Sequence, residues 1–162
     1  MSGEVLVLES GSPAQTRRLG QRLARHLQPG DVLLLSGELG AGKTVLVQGL
    51  ARGLGVREGV SSKSFVLLGE YEGHLKLYHA DLYRLQAPQE AEELALDEYC
   101  RDGVLVVEWP ERAWHLFPAD HLLVRFEVTG PRRRRLLLSA AGERWRRPLA
   151  ALARAVASGT RG

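Results

Sequence analysis

The segment from Gly37 to Thr44 carries the clearest chemical signature in the chain. It reads G-E-L-G-A-G-K-T and fits the pattern G-x-x-x-x-G-K-[ST] at each fixed position. Glycines let such a loop curl so that successive backbone N–H groups point at a phosphate, and the helix that follows adds partial positive charge. Lys43 then reaches the β- and γ-phosphates, and Thr44 offers its hydroxyl to Mg²⁺. The sequence therefore predicts a phosphate-binding loop (P-loop) for a nucleoside triphosphate.

Two acidic residues follow predicted strands, at points where parallel strands would end beside this loop. Glu108 directly follows Val104–Val107, and Asp81 follows the run Leu75–His79. A P-loop enzyme needs a carboxylate near its metal, and ligands of such sheets collect at the carboxyl ends of the strands. Both residues are therefore candidates for a metal site. A surface acid or a cap is the alternative for each, and Asp81 also has Arg84 three residues later as an ion-pair partner.

Several absences narrow the ligand and the chemistry. The chain has no Asn, and none of its Lys residues lies in a T-K-x-D sequence, so it lacks the guanine-reading motif of Ras-like GTPases. It contains neither a G-x-S-x-G nucleophile elbow nor an H-E-x-x-H metal motif. Its single cysteine, Cys100, excludes an intramolecular disulfide and a multi-cysteine zinc site. These observations argue against a Ras-like GTPase and against those hydrolase and zinc-enzyme classes.

The elements that must position these residues alternate between buried strands and helices. Val32–Leu35 and Val104–Val107 are continuous apolar runs, typical of strands buried on both faces of a parallel sheet. A helix from about Lys43 follows the loop, and Val124–Val128 and Leu136–Ser139 predict an antiparallel addition. The predicted fold class is α/β, a P-loop NTPase-like three-layer sandwich with a mixed, partly parallel sheet and antiparallel additions. Further helices are predicted over 12–27, 88–96 and 148–157, and further strands over 5–8, 65–71 and 75–79.

Length and composition fit one globular domain. The 162 residues are 44% hydrophobic and 25% charged, close to the globular average. No apolar stretch reaches the roughly 18 residues that suggest a membrane span. We therefore expect a single domain over 1–162 that acts in the cytoplasm. Residues 125–162 hold ten Arg against two Glu, which indicates either a surface for a polyanion or acidic partner or a solvated basic face.

Three motifs, in their order and rough spacing, resemble those of the TsaE family, formerly called YjeE. They are Gly37–Thr44, the H-A-D-L-Y-R of His79–Arg84, and the V-E-W-P-E of Val107–Glu111. The resemblance runs from about Leu6 to Pro118. Because the family comprises small bacterial P-loop ATPases needed for tRNA threonylcarbamoyladenosine synthesis, it implies ATP and Mg²⁺ as ligands. It also implies slow ATP hydrolysis, stimulated within a complex with the TsaB–TsaD heterodimer.

The same resemblance implies roles for individual residues. Lys43, Asp81 and Glu108 form the catalytic set, and Thr44, Asp81 and Glu108 hold the Mg²⁺; which acid orients the attacking water stays open. Trp109 would lie close to the nucleotide, although from the sequence alone a core position is the expected one. The implied nucleotide-binding set is Glu38, Leu39, Gly40, Ala41, Gly42, Lys43, Thr44, Val45 and Trp109.

Two positions depart from the family pattern. The family's S-P-T segment, a switch-like loop near the γ-phosphate, reads Ser62-Lys63-Ser64 here, so the proline is replaced by lysine. Val45 stands where the family often has a second Thr after the P-loop threonine. A hydroxyl contact to the α-phosphate is therefore lost.

Two other functions would use the same loop. In a small-molecule or nucleotide kinase, Arg132–Arg135 would close over phosphates as a lid, whereas their place after Gly130-Pro131 is typical of an exposed hairpin tip. In a non-enzymatic module, ATP would select a partner-binding conformation without turnover. The same arginines, together with Arg144, Arg146 and Arg147, are also candidates for tRNA contact, the alternative being an indirect association through TsaB–TsaD.

Overall fold

One mixed sheet organises the protein, whose computed structural model describes residues 5–60 and 68–159. Within these ranges seven strands lie in the order β1-β7-β6-β2-β5-β4-β3. The strands are β1 (Val5–Ser10), β2 (Val32–Ser36), β3 (Leu68–Tyr71), β4 (Leu77–Asp81), β5 (Val104–Glu108), β6 (His121–Val128) and β7 (Arg134–Ala141). The helices are α1 (Pro13–Ala24), α2 (Lys43–Gly53), α3 (Pro88–Leu94), α4 (Leu96–Tyr99) and α5 (Arg146–Gly159), with short 3₁₀ turns at Pro110–Arg112 and Trp114–Leu116.

The centre of the sheet is parallel and its margins are antiparallel. Strand β2 pairs in parallel with both β5 and β6, and β5 pairs in parallel with β4. The remaining pairs, β1 with β7, β7 with β6, and β3 with β4, are antiparallel. The carboxyl ends of β6, β2, β5 and β4 therefore meet at one edge of the sheet. The predicted mixed sheet with antiparallel additions is confirmed.

Helices cover both faces of this sheet. Leu33 and Leu35 of β2 face a core that also contains apolar side chains of α1, α2 and α5. Leu34, between them, faces a second core built with the segment from Leu82 to Cys100. All three leucine side chains are inaccessible to solvent, as the continuous apolar run predicts. The result is the predicted arrangement of three layers, which leaves the carboxyl edge of the sheet for loops.

Helix α5 extends two residues beyond its predicted bounds at each end, and two other helices differ from the prediction more clearly. Helix α1 ends at Ala24 instead of continuing to Leu27, because the next N–H groups donate to carbonyls three residues back and tighten the chain into a turn. The helix predicted over 88–96 is divided into α3 and α4 by Ala95, whose φ of 44° lies in the left-handed region. The predicted 65–71 strand is confirmed from Leu68 onwards, and residues 65–67 lie outside the described part of the chain.

Close packing of two helices fixes the position of α2 and therefore of the loop before it. Gly20 and Gly49 lie where α1 and α2 cross. A Cβ atom at Gly49 would come within 2.2 Å of the Arg17 carbonyl oxygen, and one at Gly20 within 2.7 Å of the Leu46 carbonyl oxygen. Only glycine permits this approach of the two backbones.

Candidate functional site

The loop between β2 and α2 takes a conformation that depends on its glycines. Gly40 and Gly42 have φ values of 81° and 100°, in the left-handed region that L side chains rarely adopt. Gly42 is also the N-cap residue of α2, whose first helical residue is Lys43. At Gly37 a Cβ atom would lie only 2.9 Å from the Cβ of Phe126 on β6. Gly37 and Gly42, the two fixed glycines of the motif, therefore occupy positions where a side chain would clash or strain the backbone.

A cavity of about 430 Å³ lies between this loop and the carboxyl ends of β4 and β5. Its lining contains ten residues that the sequence singled out, namely Leu39, Gly40, Ala41, Gly42, Lys43, Thr44, Val45, Asp81, Glu108 and Trp109. Of the predicted nucleotide-binding residues, Glu38 is not part of the lining. Segments separated by more than sixty residues in sequence thus meet around one volume.

The ammonium group of Lys43 lies inside the loop that precedes it. The side chain is 4% exposed, and Nζ donates hydrogen bonds to the carbonyl oxygens of Gly37 and, at 3.4 Å, of Glu38. Nζ also lies 3.6 Å from the centroid of the Trp109 ring, a cation–π arrangement. Burial lowers the pKa of Lys43, while nearby carboxylates, Glu108 first, oppose that shift. The positive charge of Lys43 therefore lies within the P-loop, beside the Trp109 ring.

Glu108 is a buried acid and makes two polar contacts at the end of β5. It is 3% exposed, which excludes the surface-acid interpretation. Its carboxylate accepts a hydrogen bond from the Thr44 hydroxyl, with oxygen–oxygen distances of 3.0 and 3.2 Å. The Nε2 atom of His79, itself 6% exposed, lies 2.6 Å from Glu108 Oε2. The last residue of β5 is therefore linked to the P-loop threonine on one side and to β4 on the other.

Asp81 ends β4 beside Glu108. The two residues are in register across the parallel β4–β5 pair. The Asp81 carboxylate accepts a hydrogen bond at 3.0 Å from the backbone N–H of Tyr83, which is the geometry of an Asx turn. The carboxylate therefore stabilises the turn after β4, and the residue also lines the cavity.

Trp109 combines a core contact with a cavity contact. Its φ of 61° is unusual for a residue other than glycine, and such strained positions cluster at functional sites. Part of the side chain packs against the core on the α3 side of the sheet. Its ring centroid lies 4.9 Å from that of Tyr83, which also lines the cavity. Trp109 therefore contacts both the core and the cavity, and its contact with a nucleotide stays a prediction.

Sequence reasoning left three nearby residues without a role. His79 contacts Glu108, and Tyr83 and Arg84 line the cavity. All three belong to the motif H-A-D-L-Y-R, of which only Asp81 was assigned. The alternation of β4 was the available signal, because His79 and Asp81 are two residues apart and so point to the same face of the strand.

The arginines of the C-terminal part have different environments. Arg134 donates hydrogen bonds to the backbone of the P-loop, Arg135 pairs with Glu9 at 2.7 Å, and Arg144 pairs with Asp31 at 2.9 Å. The remaining members of the set, Arg132, Arg133, Arg146 and Arg147, are exposed. The hairpin-tip interpretation holds for Arg132 and Arg133, and among the described cavity-lining residues there is no member of Arg132–Arg135 to act as a lid.

In residues 5–60 and 68–159 no helix is long and apolar enough to cross a membrane. The same ranges contain no group of three or more His, Cys, Asp or Glu side chains placed to hold a metal ion by themselves. The Ser62-Lys63-Ser64 segment lies outside the described residues.

Comparisons with known proteins agree with the geometry. Residues 10–136 match the model of the family described as threonylcarbamoyl adenosine biosynthesis protein TsaE. A Bacillus subtilis protein named tRNA threonylcarbamoyladenosine biosynthesis protein TsaE is 39% identical, with 83% of this chain and 85% of that protein covered. A Streptomyces coelicolor protein of the same name is 43% identical, with 80% and 93% covered. The crystal structure of Bacillus subtilis YdiB superposes with a TM-score of 0.77 at 33% identity, covering 95% of this chain and 97% of that one.

Proposed function

The chain belongs to the TsaE family, and from that premise we propose that it binds and hydrolyses ATP in support of tRNA threonylcarbamoyladenosine biosynthesis. Its relatives carry that biosynthetic role in their names, and its fold is that of a P-loop NTPase. The observation that carries the proposal is the contact between the Thr44 hydroxyl and the buried Glu108 carboxylate, 3.0 Å apart in the P-loop cavity. A strand-end acid beside the P-loop threonine is the arrangement that P-loop enzymes need at their metal.

Phosphate binding falls to the loop and to Lys43. The first N–H groups of α2 have no partner inside the helix and carry its partial positive charge, so they attract the β-phosphate. The Lys43 ammonium contacts carbonyl oxygens of the same loop and is already desolvated, which strengthens its attraction for the β- and γ-phosphates. Trp109 beside that ammonium would flank the phosphate chain.

The residues at the strand ends fit Mg²⁺. Magnesium prefers oxygen ligands and is usually held by one or two carboxylates plus phosphate oxygens and waters. Thr44, Glu108 and Asp81 supply a hydroxyl and two carboxylates around one cavity. These three residues would hold the ion, and its chemistry is to neutralise the charge that develops on the phosphate oxygens.

Hydrolysis is an in-line displacement at the γ-phosphorus. A water oxygen forms the new bond to phosphorus, the bond to the bridging β–γ oxygen breaks, and the proton of the water passes to solvent or to the released phosphate. Catalysis in such reactions is mostly positioning and charge stabilisation. Lys43 and the loop amides stabilise the leaving diphosphate, and one of the two carboxylates, Glu108 or Asp81, orients the water.

The finer biological setting is part of the same proposal. The chain acts as one domain over residues 1–162, in the cytoplasm where ATP and tRNA are available, together with a TsaB–TsaD heterodimer. That complex would stimulate a slow basal hydrolysis. Association with tRNA is indirect through TsaB–TsaD or uses exposed arginines of the C-terminal part, among them Arg132, Arg133, Arg146 and Arg147.

Reconstitution tests the proposal. The protein is added to TsaB–TsaD, threonylcarbamoyl-AMP and tRNA, and we expect multi-turnover modification with ATP but not with a non-hydrolysable analogue. Lys43→Ala and Glu108→Gln should abolish the stimulated hydrolysis. Glu143→Gln, at an exposed position outside the cavity, is the matched control and should retain it.

Product analysis separates the competing functions. Inorganic phosphate and ADP are the expected products, whereas a phosphorylated nucleoside or nucleotide would establish a kinase. Full stimulation of modification by the non-hydrolysable analogue would establish a nucleotide-gated module without turnover. Wild-type hydrolysis in both Lys43→Ala and Glu108→Gln would contradict the assignment of this cavity.

A further inference from the structure

The side chain of Arg134 reaches from the β6–β7 hairpin to the P-loop. Its Nε donates a hydrogen bond to the carbonyl oxygen of Ala41 and its Nη2 donates one to that of Gly40, each at 3.2 Å. More than ninety residues of sequence separate the partners. No sequence motif relates them, and neither the P-loop signature nor the arginine cluster predicts the contact.

The other edge of the same guanidinium is held by its own turn. Nη1 donates hydrogen bonds to the carbonyl oxygens of Gly130 at 3.0 Å and of Arg133 at 2.8 Å. The turn is closed by a backbone hydrogen bond from Thr129 N–H to the Arg133 carbonyl, at 3.1 Å. A guanidinium presents five N–H donors in a rigid plane. Arg134 therefore links two backbone segments through four carbonyl groups.

The hairpin supports the loop at a second point. The Cα of Gly37 packs so closely on Phe126 of β6 that a Cβ atom would approach the Phe126 Cβ to 2.9 Å. Phe126 is buried, with 5% of its surface exposed. The first residue of the loop and its middle are thus both held by the β6–β7 hairpin.

These contacts bear on the direction of the loop's dipoles. A trans peptide is planar, with its C=O and N–H pointing in opposite directions. Holding the Ala41 carbonyl toward Arg134 therefore turns the Gly42 N–H to the opposite side. The hydrogen bonds also keep two carbonyl oxygens from facing a phosphate, which they would repel. Because the donor is charged, these hydrogen bonds are stronger than neutral ones.

We propose that Arg134 is a positioning residue of the nucleotide site, which holds the P-loop from the β6–β7 hairpin in its phosphate-binding conformation and so raises the affinity for ATP and ADP. The inference rests on the proposed function in taking these nucleotides as the ligands. The loop holds the β-phosphate before, during and after hydrolysis. Arg134 therefore stabilises the bound ground state and the transition state to the same extent. Its loss should raise KM and leave kcat nearly unchanged.

Binding of Mg²⁺–ADP by calorimetry tests the inference in three variants. Arg134→Met removes all four hydrogen bonds of the guanidinium. We expect the affinity for ADP to fall by about 10-fold, which corresponds to the net contribution of one hydrogen bond to a charged group. Arg134→Lys keeps the charge but not the planar fork, and we expect a loss of about 3-fold. Arg135→Met is the matched control, because the exposed Arg135 pairs with Glu9 and Glu127 and is not part of the cavity lining. It should bind within about 2-fold of wild type.

Two further measurements separate positioning from a general structural role. In Arg134→Met the KM for ATP should rise by the same factor as the ADP dissociation constant, with kcat within about 3-fold of wild type. Amide hydrogen exchange over 37–44 should accelerate in Arg134→Met and stay unchanged in Arg135→Met. A fall in kcat at constant KM would overturn the inference, as would unchanged exchange in the loop.

The outcomes are distinguishable. Wild-type affinity for ADP in Arg134→Met overturns the role of Arg134 and leaves the proposed function intact. If Arg134→Met does not fold, Arg134→Lys decides: a loss of about 3-fold supports the inference, and wild-type affinity overturns it. If the wild-type protein itself binds neither ADP nor ATP, the proposed function fails, and this inference fails with it.

Discussion

The buried contact between His79 and Glu108 gives a quantitative prediction. The two side chains are 6% and 3% exposed, and their polar atoms lie 2.6 Å apart. Replacing His79 by Leu removes the donor and leaves the Glu108 carboxylate with the Thr44 hydroxyl. A hydrogen bond to a charged group contributes about 1.5–3 kcal/mol. Because the Glu108 carboxylate keeps one partner, the destabilisation should lie toward the lower end of what the loss of a buried partner costs. We therefore expect His79→Leu to lower the free energy of unfolding by about 2 kcal/mol.

Two assays measure this effect. For a chain of this length, each kcal/mol lowers Tm by roughly 2–4 °C, so the melting temperature should fall by about 4–8 °C. A double-mutant cycle with Glu108→Gln, followed by urea unfolding, isolates the pair, because a neutral amide at position 108 has much less need of the donor. The expected coupling is about 1–2 kcal/mol.

The same variant should affect activity, because Glu108 would lose the contact that sets its orientation toward the cavity. We expect kcat for partner-stimulated ATP hydrolysis to fall about 10-fold, with His79→Gln intermediate since its amide retains a donor. A coupling energy below about 0.5 kcal/mol would refute the reasoning, because distant, independent sites show no more than that. Unchanged kcat would show that His79 does not position Glu108 for catalysis.

Two other predictions concern the scaffold. Gly49→Ala should destabilise the protein by about 1–3 kcal/mol despite the better helix propensity of alanine, because its Cβ would lie 2.2 Å from the Arg17 carbonyl oxygen. Gly59→Ala, where a Cβ meets nothing within 4 Å, is the control, and equal Tm values for the two variants would contradict the packing argument. Burial and the hydrogen bond with Asp102 raise the pKa of Tyr78 to about 12. Since this folded-state pKa exceeds the ordinary 10.0, the contribution of Tyr78 to stability is complete below pH 10 and lost toward pH 12, and Tyr78→Phe should flatten that decline in urea unfolding.

The local parts of the site could be read from the chain. The P-loop pattern depends on glycines whose φ values and close approaches are properties of a few consecutive residues, and Gly37, Gly40 and Gly42 meet them. Apolar runs predicted β2 and β5, because a strand buried on both faces needs an unbroken run. The ends of such strands predicted the place of Glu108, since parallel strands present their carboxyl ends at one edge.

Other features were set by contacts between distant segments. The break at Ala95 ends the helix predicted over 88–96 two residues early, and α1 ends three residues early. Both differences concern helix boundaries. Local sequence patterns determine boundaries poorly, because tertiary packing overrides helix propensity there. Asp81 lies at the end of β4 beside the cavity, and its hydrogen bond to Tyr83 N–H forms only in the turn that follows β4.

By itself, the sequence determined the class of chemistry and the elements that present it, because the P-loop pattern, the apolar runs and the strand-end acids are each encoded within a short stretch. The tertiary structure decided which other residues contact the P-loop and the strand-end acids. His79 contacts Glu108 because β4 and β5 pair in one particular register. Arg134 reaches Gly40 because β6 lies beside β2 and returns through β7. Strand order and register arise from the packing of the whole chain, and no spacing within a motif expresses them.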